Sequence, residues 1–125
     1  MIVGIGIDLE RIERFRDLLA RWGERFEKKL FTEGERAYCR ARARAEQHFA
    51  VRFAAKEAVL KAMGVPRQSG LEWQHFEIVN AASGAPTLVL TAAAKAVADR
   101  LGVTRVHLTL THTDDTAAAF VILEA

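Results

Sequence analysis

Hydrophobic and polar positions change period several times along this chain, and each change marks an element. Over residues 2–8, Val3, Ile5 and Ile7 alternate with Gly4, Gly6 and Asp8, the period of two that predicts a strand buried through its apolar face. Two glycines at i and i+2 clear the opposite face for close approach of another backbone or a ligand, and the strand delivers Asp8 to the edge of that face. Beyond it the spacing lengthens to three and four. Ile12, Phe15, Leu19 and Trp22 form one stripe and predict a helix over 9–22. Asp8 then stands where an N-cap is expected, although Arg11, not Glu or Gln, follows three residues later. Thr32 with Glu35 carries a capping-box signature and opens a helix from about 33. A third helix covers 46–63 and stops near Gly64 and Pro66. A loop over 65–70 leads to a strand at 73–79, a turn at 80–86 and a short strand at 87–90. Thr91 caps a helix over 92–101 that ends at Gly102. Residues 103–112 alternate again, with Val106, Leu108 and Leu110 facing away from Arg105, His107, Thr109 and Thr111; a turn at 113–116 feeds a last strand, 117–123. This order predicts an α+β fold, a small antiparallel sheet packed with helices, as one domain over 1–125.

Composition narrows the function. The 125 residues are 50% apolar, enough for one core, and the absence of a long apolar run predicts no membrane span. The first residues lack the basic region and cleavage site of a secretion leader. The single cysteine, Cys39, sits in a helical pattern, forms no intrachain disulfide and fits a reducing, cytoplasmic setting. Net charge is +2, yet residues 10–45 carry 11 of the 18 Lys and Arg against 7 of the 16 acids, a local +4 that leaves −2 elsewhere. That is too mild for a duplex-binding protein and suits a patch that meets an acidic protein or a phosphorylated ligand. Aromatics make up 8% and do not interleave with the basic residues, which argues against a nucleic-acid stacking platform.

Candidate chemistry concentrates on the third helix. Phe49, Phe53, Leu60 and Met63 share a stripe with Lys56 in its middle, so Lys56 either snorkels past the core or is held by a buried anion. Glu57 and Lys61 lie beside the stripe, flanked by Ala50 and Ala54. Two readings stand: a surface i,i+4 pair worth about 0.3–0.5 kcal/mol, or a metal-ligating carboxylate with a cation one turn away. Asp8 has the same duality, helix cap or ligand. Together Asp8 and Glu57 supply the two carboxylates that Mg²⁺ takes from a protein, its other positions going to water and phosphate oxygens. No Cys/His cluster suggests zinc, and no Walker-type glycine loop is present. His107 shares the polar strand face; His112 falls on the apolar side and is expected in the core; His48 and His75 read as structural. Along the first helix Arg11, Arg14 and Arg21, with Arg25 if the helix continues, surround Leu18. That is either a solvated face or a docking surface for an acidic helix.

Three blocks of the chain resemble the holo-acyl-carrier-protein synthase family, the short-chain phosphopantetheinyl transferases: Gly4-Ile5-Gly6-Ile7-Asp8-Leu9-Glu10-Arg11-Ile12; Arg52-Phe53-Ala54-Ala55-Lys56-Glu57-Ala58 with Lys61-Ala62-Met63-Gly64; and 106–113 with Ala117-Ala118-Ala119. Phe31-Thr32 followed by Glu35 also fits. The chain differs at Gly84-Ala85-Pro86, where the family often has Gly-Lys-Pro, at Gly64-Val65-Pro66 in place of Gly-Thr-Gly, and at Thr111-His112 in place of Ser-His. The resemblance implies an enzyme of fatty acid biosynthesis that moves the phosphopantetheine arm of coenzyme A onto a serine of acyl carrier protein and releases adenosine bisphosphate. It implies a homotrimer with sites between subunits, Mg²⁺ on Asp8 and Glu57, and Glu57 and Lys61 as catalytic residues. It implies carrier docking on Arg14, Arg25 and Lys29, to which the first-helix stripe adds Leu18 and Arg21, and coenzyme A contacts are expected from Arg52, Lys56, Gly64, Pro86, His107 and Thr111. Residue patterns alone leave two rivals, a non-catalytic binding module and a Mg²⁺-dependent nucleotide pyrophosphate hydrolase.

Overall fold

A run of helix formers with no interior Gly or Pro builds the longest element, α4 (Ala45–Met63), and Gly64 ends it in the left-handed conformation at φ 67° that glycine tolerates best. This helix is buried on almost every side, which is why no single apolar stripe describes it, and both hydrophobic clusters of the core draw on it. The computed structural model describes residues 1–66 and 70–125. Before α4 come β1 (Ile2–Arg11), α1 (Ile12–Trp22), α2 (Glu24–Leu30) and α3 (Glu33–Arg40). After it come a 3₁₀ turn (Trp73–His75), β2 (Phe76–Asn80), β3 (Pro86–Leu90), α5 (Ala92–Arg100), β4 (Arg105–His112) and β5 (Thr116–Glu124). Strands pair antiparallel in the order β1-β5-β4, and β2-β3 form a separate hairpin. The α+β expectation holds. The predicted loop over 65–70 lies partly outside the described residues, and no described helix is long and apolar enough to cross a membrane.

Two sequence expectations are overturned in β1. The strand does not stop at residue 8. Leu9, Glu10 and Arg11 continue the ladder opposite Ala118, Ala117 and Thr116, so the helix starts at Ile12 and Asp8 caps nothing. The buried face is also the other one: Gly6, Asp8 and Glu10 point inward, while Ile5, Ile7 and Leu9 are 56%, 57% and 64% exposed. The reason is α4, which packs directly on the glycine face. A Cβ on Gly4 would lie 1.9 Å from the Ala62 carbonyl oxygen, and one on Gly6 1.8 Å from that of Ala58. In α1, Ile12 and Phe15 are buried as expected, but Trp22 is 51% exposed. Gly23 then breaks the helix at φ 54°, and a seven-residue helix the periodicity did not reveal, α2, follows. The Thr32–Glu35 capping box forms in full at the start of α3.

Candidate active site

Contact of Gly4 with Ala62 and of Gly6 with Ala58 sets the geometry of the site. Two residues of strand cover about the same distance as four of helix, so the next inward residue, Asp8, falls further back along the same helix, the one that carries Glu57. Asp8 is 9% and Glu57 8% exposed. Lys61, one turn on from Glu57, donates from Nζ to Asp8 Oδ1 and to the Ile7 carbonyl, both at 3.0 Å. The other Asp8 oxygen, Oδ2, is buried and finds no partner among the described residues. A buried carboxylate oxygen without a partner is costly unless a cation meets it.

Glu10, the next inward residue of β1, joins the same neighbourhood. It is 8% exposed, hydrogen-bonds the Asp8 carboxyl and lies 3.4 Å from Arg14 Nη1. Burial, then the hydrogen bond and charge of Asp8, push its carboxyl up to about 8; Glu57 adds to the rise and Arg14 opposes it. Among the described residues no three His, Cys, Asp or Glu converge closely enough to enclose an ion by themselves. One or two carboxylates with room for water and phosphate is a donor set that suits Mg²⁺, and the unpartnered Asp8 Oδ2 gives it a place. The residues present fit the ion.

Lys56, expected at the cofactor, is fully buried in this chain, and its ammonium donates to Glu35 Oε1 at 2.7 Å, the Leu30 carbonyl at 2.8 Å and the Trp73 carbonyl at 3.0 Å. Burial pulls its pKa down, and Glu35 opposes that pull. Glu35 also accepts from the backbone of Thr32 and Ile78, so the pair ties α3, α4 and β2 together. Of the two readings of a lysine on an apolar stripe, the buried anion is the one found.

Arg52 is 2% exposed and donates to Asn80 Oδ1 at 2.8 Å, while its Nε is buried without a partner among the described residues. Its guanidinium lies 4.0 Å from the centre of the Tyr38 ring, and that of Arg42 lies 3.3 Å from the same centre. His48 packs edge-on against Tyr38, and burial, then Arg52, Arg42 and His112, lower its pKa. Pro86 pairs with Asn80 across the β2-β3 hairpin, which places it near this group. His112 is exposed, not in the core, with Nδ1 near the Thr113 carbonyl. Sequence reasoning missed this cationic cluster because its members come from three separate segments, and no local pattern joins them. Gly64 is exposed at the end of α4. Cys39 is fully buried, and burial pushes its thiol up to about 12, so it is inert packing.

His107 and Thr111 lie on the outward face of the sheet, opposite Ile122 and Ala118. His107 Nε2 meets Glu124 Oε1 at 2.9 Å. The sheet therefore separates them from Asp8 within one chain. The docking candidates do gather. Arg11, Glu13, Arg14, Asp17, Leu18 and Arg21 line one groove, and Leu18, Trp22, Arg25, Phe26 and Lys29 line the next, with Leu18 shared.

A family model described as the 4'-phosphopantetheinyl transferase superfamily matches residues 4–121. The holo-[acyl-carrier-protein] synthase of Solibacter usitatus (strain Ellin6076) is 44% identical over 124 residues, 99% of each chain. The chain belongs to the holo-acyl-carrier-protein synthase family. Family membership makes it a phosphopantetheinyl transferase by class. The crystal structure of the synthase from Neisseria meningitidis superposes with a TM-score of 0.91 at 30% identity, covering 100% of both chains. That of a holo-(acyl-carrier-protein) synthase from Bacillus anthracis str. Ames in complex with CoA (3',5'-ADP) gives 0.82 at 32% identity, covering 100% of this chain and 98% of the other.

Proposed function

We propose that this enzyme transfers the phosphopantetheine arm of coenzyme A to a serine of an acyl carrier protein, with Mg²⁺ held by Asp8 and Glu57 and adenosine 3',5'-bisphosphate released. The observation that carries this reading is the buried, unpartnered Asp8 Oδ2, on a carboxylate whose other oxygen accepts from Lys61. When bound, the ion supplies Lewis-acid polarisation of the coenzyme A pyrophosphate. Lys61, 53% exposed at its side chain, swings from Asp8 to the reacting phosphate and balances charge that grows on its oxygens. The serine oxygen forms its bond to phosphorus as the pyrophosphate P–O bond breaks. The serine proton goes to the carboxylate cluster, with Glu57 our candidate acceptor. Incubation with coenzyme A and Mg²⁺ should release the bisphosphate only when apo-carrier protein is added. Release without carrier would mark a hydrolase instead.

The Arg52–Tyr38–Arg42 cluster is our candidate for the cofactor's phosphates, since a buried guanidinium nitrogen without a partner favours an anion. The pKa of His48, now held down in part by those arginines, should rise when the bisphosphate binds, because an anion favours the charged imidazolium. An NMR titration of the His48 ring with and without bisphosphate reads this, and no upward shift would remove the cluster from the cofactor site.

The exposed row of Ile5, Ile7 and Leu9 pairs with Ile122, Phe120 and Ala118 of β5, making an apolar sheet face of the kind that marks an interface. Assembly through that face would also give His107 and Thr111 access to a neighbour's cleft. We read it as the contact of a homotrimer, the number three coming from the family resemblance. Ile7→Asp should reduce the sedimenting mass to that of one chain and abolish transfer; an unchanged mass would show that the face serves something else. The inert thiol of Cys39 is compatible with a cytoplasmic enzyme.

A further inference from the structure

Lys56 and Gln74 take no part in that reading, yet both reach the same end of the same helix. α2 is seven residues long, opens at Gly23 without a side-chain cap and is too short to hold its shape alone. The last carbonyls of a helix lack partners within it. Here the Leu30 carbonyl accepts from Lys56 Nζ at 2.8 Å. The Lys28 carbonyl accepts from Gln74 Nε2, which also reaches the Phe31 carbonyl at 3.5 Å. Lys56 is fully buried, and its other two bonds go to Glu35 and the Trp73 carbonyl, so all three protons of its ammonium are spent on the interior. The far side of α2 faces out: Arg25 and Lys29 are exposed, and with Phe26 they wall the groove shared with Leu18 and Trp22.

We infer that Lys56 and Gln74 are positioning residues for carrier docking: by holding the carbonyl end of α2 they set where Arg25, Phe26 and Lys29 stand relative to Glu57, the residue that follows Lys56 on α4. The inference rests on the reading of that groove as the carrier surface. Glu27, buried against Arg36 and Arg40 of α3, and Phe26, edge-on to Phe15 and Phe31, hold the middle of α2. Loss of the end contacts therefore loosens its last turn without releasing the helix. Exposed charges bind a partner weakly one by one and gain from being in register together. A last turn out of register costs carrier affinity and leaves coenzyme A binding alone.

Steady-state transfer by the full chain, with carrier protein and coenzyme A varied in turn, tests this in three variants: Gln74→Ala, Lys56→Met combined with Glu35→Gln so that no unpaired charge stays in the core, and Arg25→Glu. The combined variant should raise the carrier KM about five- to tenfold and Gln74→Ala about two- to threefold, with kcat and the coenzyme A KM within about twofold of wild type. A variant that merely loses folded protein loses kcat and leaves both KM values in place, so the split separates positioning from stability. An unchanged carrier KM in either variant, or a fall in kcat alone, would overturn the inference. Should the combined variant fail to fold, Gln74→Ala, a change at an exposed side chain, decides by itself. Arg25→Glu probes the groove directly. A raised carrier KM there with none in Gln74→Ala would overturn the positioning and leave the groove standing, and an unmoved carrier KM in Arg25→Glu would overturn both.

Discussion

Glu57→Gln and Asp8→Asn are each expected to slow single-turnover transfer by about 10²–10³-fold, even at saturating Mg²⁺ and coenzyme A. Each removes a charge that the proposed mechanism sets against the ion and keeps the size of the side chain. The metal-free fold should survive, because the native site already buries an unpartnered oxygen on Asp8 and gains nothing structural from it. Rapid-quench measurement of carrier modification, with thermal melts in chelator, separates the two effects. A near-normal rate in Glu57→Gln would take that residue out of the metal site. A collapsed melting temperature with a proportionate loss of rate would make both acids structural.

The second large effect is predicted at Gly6. An alanine Cβ there would sit 1.8 Å from the Ala58 carbonyl oxygen, 2.8 Å from its carbon and 3.0 Å from the Ala62 nitrogen. These are backbone atoms in the most buried helix of the protein, so no side chain can swing aside, and β1 must retreat by more than an ångström. Overpacking costs about 1–3 kcal/mol where side chains can adjust; a backbone collision belongs at or beyond the top of that range, a large part of the roughly 5–15 kcal/mol that holds a domain folded. Gly6→Ala should therefore lose about 3 kcal/mol or more in denaturant unfolding, and the same shift would carry Asp8 away from α4 and Lys61. Wild-type stability in this variant would mean that β1 does not pack on α4 as described.

This packing also explains what was legible in the sequence. The alternation of β1 was plain, and so was the meaning of two glycines at i and i+2, a cleared face delivering Asp8. Which face turned inward was not legible, because the isoleucines look like the core until α4 is seen lying on the glycines. The outward isoleucines then need another cover, which the proposed assembly would supply. The strand's true end was hidden as well. Residues 9–11 fit a helical stripe as readily as a strand, and only pairing with β5 decides between them. In α4 the stripe was real but incomplete, since the whole helix is enclosed; Lys56 was recognisable as an oddity, but its partner Glu35 lies 21 residues away. The first-helix arginines and Leu18 were readable because a helix places them by local spacing alone. The Arg42–Tyr38–Arg52 stack was not, since it depends on how α3 and α4 meet, and neither was the burial of Glu10, whose surroundings include Arg14 of α1 and Glu57 of α4.

The most direct test is intact-mass analysis of an apo-acyl carrier protein after incubation with this enzyme, coenzyme A and Mg²⁺. The carrier should gain the mass of one phosphopantetheine on a single serine, and the gain should vanish with chelator or with Asp8→Asn. A carrier of unchanged mass, whether coenzyme A stays intact or is broken down, would contradict the assignment.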